Sequence, residues 1–201
     1  MAVTATVAIL AGGRSRRMGA PKATLELAGR ALALRAVDAA VDAGLGAAVV
    51  APSGAALPSL PAGVALWREP AGEPHPARGL VAALEACGGP VVALACDLPL
   101  VPPALLAWLA ACEGTVVPSF RGVAQPLLAR WEIGTLPALR AAVEGGGSLR
   151  TAAVAAGANS IDEGELRLFG EPEVFLSDVD TPAALARMEA LLSGGWRIDP
   201  G

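Results

Sequence analysis

Short apolar runs alternate with helical stretches along nearly the whole chain, and this alternation narrows what it can fold into. TATVAIL (4–10) is a continuous apolar run of strand length, as expected for a strand buried on both faces. LALRAVDAAVDAG (32–44) follows, with Leu34, Val37 and Val41 at helical spacing and a glycine where a C-cap belongs. GAAVVAP (46–52) and GVALWRE (63–69) are further short runs, ARGLVAALEACGG (77–89) reads as a helix, and PVVALAC (90–96) is another buried strand ending at Asp97. PPALLAWLAACEG (102–114) enters a helix on prolines. GTVVPS (114–119) and GVAQPLLARW (122–131) predict strands, and Pro126 makes the second an edge or irregular one. The remainder holds two or three helical stretches, a strand-like EVFLSDV (173–179) and a closing helix over 182–192. Alternation of this kind predicts an α/β fold, a mostly parallel sheet with helices on both faces.

At 201 residues the expectation is one domain with a sizeable core, spanning 1–201 without an internal repeat or a dividing linker. Hydrophobic residues make up 54% and charged residues 17%, with a net charge of −4. This composition argues against a disordered chain and against a general nucleic-acid binder. No apolar segment approaches the ~20 residues of a membrane span, and no signal peptide is read at the N-terminus. Cys87, Cys96 and Cys112 are odd in number and lack C-x-x-C spacing, which suits reduced thiols in a cytoplasm. The loop PAGEPHPA (70–77) is expected to be a mobile rim, with His75 a surface residue rather than a general base.

The stretch LAGGRSRRMGAPK (10–22) sets three glycines and four cations on the turn after the first strand. In open parallel sheets ligands sit beyond the carboxyl ends of the strands, so this turn is the first candidate site. It does not spell G-x-x-x-x-G-K-[ST], because five residues separate Gly13 and Gly19 and no lysine follows. Nor does it spell G-x-G-x-x-G, because Gly12 and Gly13 are adjacent. Adjacent glycines let backbone N–H groups approach an anion closely, an arginine can grip phosphate oxygens bidentately, and a lysine adds a movable point charge. Lys22 is the sole lysine beside 14 arginines, which hints that its compact ammonium is needed.

Written as L-A-G-G-x-S-x-R-M-G-x-x-K, the turn matches the signature loop of nucleotidyltransferases that consume a nucleoside triphosphate and release pyrophosphate. With these residues the chain resembles the molybdenum cofactor guanylyltransferase family. The resemblance implies a Rossmann-like three-layer αβα sandwich of nucleotidyltransferase type. Its nucleotide-binding part would cover about 1–110 and its acceptor-binding part about 111–192. It also implies nucleotide binding by Leu10, Ala11, Gly12, Gly13, Ser15, Gly19 and Lys22, with Arg17 and Lys22 acting on the phosphates. ACDLPLVPPALL (95–106) resembles the family's acidic block, implying that Asp97 holds Mg²⁺; by position alone Asp97 can also cap the next helix. RGVAQPLLARW (121–131) resembles the R-x-x-Q-P-L block on the pterin side, which points to Gln125 as an acceptor contact beside its plainer reading as an edge-strand residue.

DVDTPAAL (178–185) resembles a closing N-x-N-T-P-x-x-L block but carries Asp178 and Asp180, a version more familiar from the related cytidylyltransferases. These acids fit three roles: metal holding, acceptor binding, or capping of the last helix by Asp180 and Thr181. An acid after the third strand is expected to accept hydrogen bonds from guanine. Glu69 stands there where the family usually has aspartate, and the G-P-L-x-G block appears only as A-R-G-L-V-A (77–82). The resulting expectation is a cytoplasmic, Mg²⁺-dependent enzyme that moves GMP from GTP to molybdopterin, with other cofactor-biosynthesis proteins as possible partners and no nucleic acid or membrane. Transfer of CMP, transfer to another phosphorylated acceptor, and nucleotide binding without turnover are the alternatives.

Overall fold

The computed structural model describes residues 5–12 and 19–194. In chain order the elements begin with β1 (Thr6–Leu10), the small hairpin β2 (Glu26–Leu27) and β3 (Arg30–Ala31), and α1 (Leu32–Asp42). Then come β4 (Ala47–Pro52), β5 (Ala65–Glu69), α2 (Pro76–Cys87), β6 (Val91–Ala95) and α3 (Pro103–Ala111). The second half holds β7 (Val116–Phe120), β8 (Val123–Ala124), β9 (Leu128–Trp131), α4 (Leu136–Gly145) and α5 (Leu149–Ala155). It closes with β10 (Asn159–Ile161), α6 (Glu163–Leu166), α7 (Pro172–Phe175) and α8 (Pro182–Ser193).

Among the described residues the main sheet runs β10-β7-β9-β6-β1-β4-β5, with β8 on β7. β1 pairs in parallel with both β4 and β6, and β4 with β5, while β9 lies antiparallel between β6 and β7. Alternation across the pleat sorts the core into two layers. Val7, Ile9, Val49, Val92 and Leu94 face α1, α3 and the buried Phe175 and Met188, whereas Ala8, Val50, Val91 and Ala93 face α2, α4 and α5. This is the expected three-layer α/β sandwich with a mostly parallel sheet. From β1 the chain builds outward to β4 and β5, then crosses back through α2 to β6 on the other side of β1. That reversal leaves a crevice at the carboxyl ends of β1, β4, β5 and β6.

Two segments depart from expectation. Residues 122–131 form an irregular run, two strands broken by Gln125–Leu127, and β9 is an interior strand rather than an edge. Pro126 ends β8, and its carbonyl accepts the Trp131 Nε1–H at 3.0 Å, so all four β9 residues are buried between β6 and β7. Residues 173–179 are not a strand. Pro172 starts one helical turn, and the Phe175 and Leu176 amides bond back to the Glu171 and Pro172 carbonyls at 3.1 and 3.0 Å, which buries Phe175. β10, which pairs with β7, and the β2–β3 hairpin stand outside the strands the sequence predicts.

Candidate active site

A cavity of about 620 Å³ opens at the crevice. Leu10 and Gly12 reach it from β1, Pro52 and Ser53 from β4, Glu69 from β5, and Ala95, Cys96 and Asp97 from β6. Lys22, on a 3-10 turn over Lys22–Thr24, projects into it from the far end of the glycine-rich segment. Burial of the neighbouring Ala23 fixes that turn against the core.

Lys22 Nζ donates to Asp97 Oδ2 at 2.6 Å and also to Asp180 Oδ1. The three side chains come from distant parts of the chain, and one backbone bond explains the meeting. The Val179 amide donates to the Asp97 carbonyl at 3.0 Å, setting Asp178–Asp180 beside the end of β6. The Lys22 side chain is only 13% exposed. Burial alone lowers its pKa, but the hydrogen bonds to Asp180 and Asp97 outweigh that and leave it raised. Asp178 is pushed up by burial and by the neighbouring charges of Asp180 and Asp97. Among the described residues, three acids stand around one lysine. Capping of α8 falls to Thr181, whose hydroxyl accepts from the Ala184 amide at 3.1 Å, so Asp180 is not needed for that task.

Glu69 occupies the other side of the cavity. Two glycines make room for it: an added Cβ at Gly12 would stand 2.4 Å from Glu69 Oε1, and one at Gly79 would stand 3.4 Å from it. Burial raises the Glu69 pKa, and the positive charge of Arg78 works against that rise. Cys96 is buried with its thiol pushed up to about 12, an inert wall residue.

Of the other expected site residues, Ala11 is buried, and its amide donates to the Val50 carbonyl at 2.8 Å. Gly19 is exposed with φ 69°. Gly13, Ser15 and Arg17 lie outside the described residues. Gln125 is not brought to the cavity; its Nε2 turns back to the Val123 carbonyl at 3.1 Å. His75 is a half-buried strut rather than a surface residue. Its Nδ1 accepts from the Ala77 amide at 3.1 Å, capping α2, and its Nε2 lies 2.8 Å from the Gly147 carbonyl between α4 and α5. Together these contacts require the Nε2–H tautomer. A histidine two residues before a helical alanine, with proline between, was the available signal. His75→Ala is expected to destabilise the fold by about 1–2 kcal/mol in urea unfolding, the worth of a helix cap plus one further bond. Unchanged stability would show that neither bond contributes.

A strand order that reverses at β1, with a glycine and a lysine–carboxylate cluster at the reversal, places the chain among the α/β nucleotidyltransferases. It belongs to the family of the MobA-like NTP transferase domain, whose model matches residues 7–163. Its fold is similar to that of molybdopterin-guanine dinucleotide biosynthesis protein A from Archaeoglobus fulgidus, with TM-score 0.78 and 22% identity over 94% of this chain and 99% of that one. A nucleotidyl transferase from Methanothermobacter matches with TM-score 0.72 and 19% identity over 96% and 99% of the two chains. The 2-C-methyl-D-erythritol 4-phosphate cytidylyltransferase from Thermus thermophilus matches with TM-score 0.67 and 21% identity over 94% and 99%. No curated protein matches the sequence. No helix among the described residues is long and apolar enough to cross a membrane.

Proposed function

We propose that the protein transfers GMP from GTP to the terminal phosphate of molybdopterin and releases pyrophosphate. The observation that carries this reading is the ion pair of Lys22 and Asp97 in the cavity that Gly12 and Glu69 also line, with Asp180 bonded to the same ammonium. The backbone ends of β5 and β6 are three strand steps apart, roughly 14 Å. That span suits a nucleoside triphosphate, with its base at Glu69, its phosphates at Lys22 and Gly12 in between. An ionised Glu69 accepts from guanine N1–H and from the exocyclic amino group, two bonds that no other base offers together. The acceptor is assigned to the 111–192 half, with Asp178, beside the end of β6, as its polar candidate.

Transfer forms a bond between an acceptor phosphate oxygen and the α-phosphorus as the bond to the β-phosphate oxygen breaks. The acceptor already carries its nucleophilic oxygen, so no protein nucleophile or base is required. Lys22 exchanges its carboxylate partners for phosphate oxygens and neutralises charge that builds on the departing pyrophosphate. Arg17, Ser15, Gly13 and Gly19 are assigned to the phosphates on the strength of the loop motif.

The donor set fits a hard divalent cation such as Mg²⁺. Asp97 and Asp180 offer oxygen ligands, and a cation there would also offset the Asp180 and Asp97 charges that, after burial, raise Asp178. Bound there, Mg²⁺ supplies charge neutralisation to the triphosphate.

One observation favours a second reading, CMP transfer from CTP to the same acceptor: Asp178 and Asp180 stand where guanylyl enzymes usually carry asparagines. Titration with GTP and CTP in the presence of the pterin acceptor, reading pyrophosphate release, separates the two. Saturation by GTP at the lower concentration is expected; preference for CTP replaces the guanylyl assignment with the cytidylyl one.

A further inference from the structure

The cavity wall around Glu69 is held by Arg78, from the A-R-G-L-V-A stretch (77–82). Arg78 sits in the first turn of α2, and its Nη1 donates to the carbonyls of Pro70 and Ala71, both at 2.8 Å. The next residue, Gly72, is shaped to it. An added Cβ at Gly72 would stand 2.0 Å from Arg78 Nη2 and 2.5 Å from Cζ, and its φ of 144° belongs to glycine. Arg78 Nε is buried without a hydrogen-bond partner. An unpaired buried donor costs stability, so solvation of the side chain does not account for its position. Pro70, Ala71, Gly72, Arg78 and Glu69 all line the same cavity.

We infer that Arg78 is a positioning residue for base selection: it ties the Pro70–Gly72 segment to α2 and so fixes the wall, Glu69 included, against which the nucleobase is read. The inference rests on the nucleotide-binding reading above. Pro70 follows Glu69 directly, so a clamp on its carbonyl restrains the peptide that carries the acid. The guanidinium charge acts in the same sense, since it favours the ionised Glu69 that guanine requires. Among the described residues, the other charged or titratable groups beside that wall are Glu73, which follows Gly72, Arg68, which bonds the Pro52 carbonyl at 3.0 Å, and His75, already engaged at both ring nitrogens. Lys22 and Asp97 face it from the β6 side of the cavity. A residue that sets this wall acts on the base and leaves the phosphate end untouched.

The test compares affinities for GTP, CTP and inorganic tripolyphosphate in the wild-type protein, Arg78→Met and Gly72→Ala, by calorimetric titration with Mg²⁺ present. Arg78→Met is expected to weaken GTP binding by ~10-fold, the scale of losing fixed hydrogen-bond geometry, and to erode the preference for GTP over CTP. Tripolyphosphate affinity is expected to stay at the wild-type value. Gly72→Ala keeps the cation but pushes a methyl group into the guanidinium, and is expected to move the same two quantities in the same direction. It decides the matter by itself where Arg78→Met does not fold. Wild-type GTP affinity and selectivity in the variant that folds, or equal losses for GTP and tripolyphosphate, overturns the inference. A wild-type protein that binds tripolyphosphate but no nucleoside triphosphate more tightly overturns the nucleotide reading itself, and this inference with it.

Discussion

Lys22→Ala is expected to lower the rate of pyrophosphate release by ~10²-fold or more, the scale of removing one preorganised donor from a transition-state charge. The side chain is nearly enclosed between Asp97 and Asp180, so its ammonium is aimed before any substrate arrives. That prior placement is what makes the loss large. A donor that had to be ordered during the reaction would give much of its energy back as entropy. Lys22→Arg is the sharper comparison. It restores the charge but replaces a compact ammonium, which bonds two carboxylates from one atom, with a planar fork. In a chain that otherwise uses arginine for every cation, the arginine variant is expected to recover little of the lost rate. Single-turnover kinetics at saturating nucleotide, with a thermal melt to confirm folding, checks both variants. A wild-type rate in Lys22→Ala removes the role assigned to it.

The part of this site that was legible in the sequence is the part encoded locally. A glycine pair directly after a buried strand, and an acid directly after another, are read from neighbouring residues, and parallel pairing of β1 with β6 brings their ends together. Lys22 stood out because a composition bias against lysine left it alone. The meeting with Asp180 was not legible, because it depends on a backbone bond from Val179 to Asp97 across some eighty residues of chain. Residues 173–179 carry the valine, phenylalanine and leucine of a strand, yet Pro172 and the burial of Phe175 decide in favour of a helical turn. Pro126 predicts an edge or irregular run; it stands as the break between two strands, and pairing with both β6 and β7 makes β9 an interior strand. Arg78 stayed hidden for another reason. Arginine is common in this chain, and nothing local distinguishes one that clamps two carbonyls from one that faces solvent.

Asp97→Asn is expected to raise the Mg²⁺ concentration needed for half-maximal rate and to lower the maximal rate, with the combined loss ~10²-fold or more. The substitution keeps the shape of the side chain and leaves the Val179–Asp97 backbone bond in place, so the wall of the cavity should survive it. What it removes is one of the charges that crowd Asp178 and hold Lys22. Two consequences of opposite sign follow in the same variant. Metal affinity falls because an anionic oxygen ligand is lost, whereas Asp178 ionises more readily because a neighbouring negative charge is gone. Asp180→Asn tests whether the second acid shares the metal with Asp97. If both acids face the same cation, the double variant loses less than the sum of the single losses, since either change alone already spoils the shared site. If Asp180 serves only to hold Lys22, its variant leaves the metal titration unchanged and slows the reaction at every Mg²⁺ concentration. A Mn²⁺ titration followed by electron paramagnetic resonance, with GTP present, reads the metal independently of turnover. An Asp97→Asn protein that binds Mn²⁺ as the wild type does takes Asp97 out of the metal site, and the cluster then stands as a lysine holder alone.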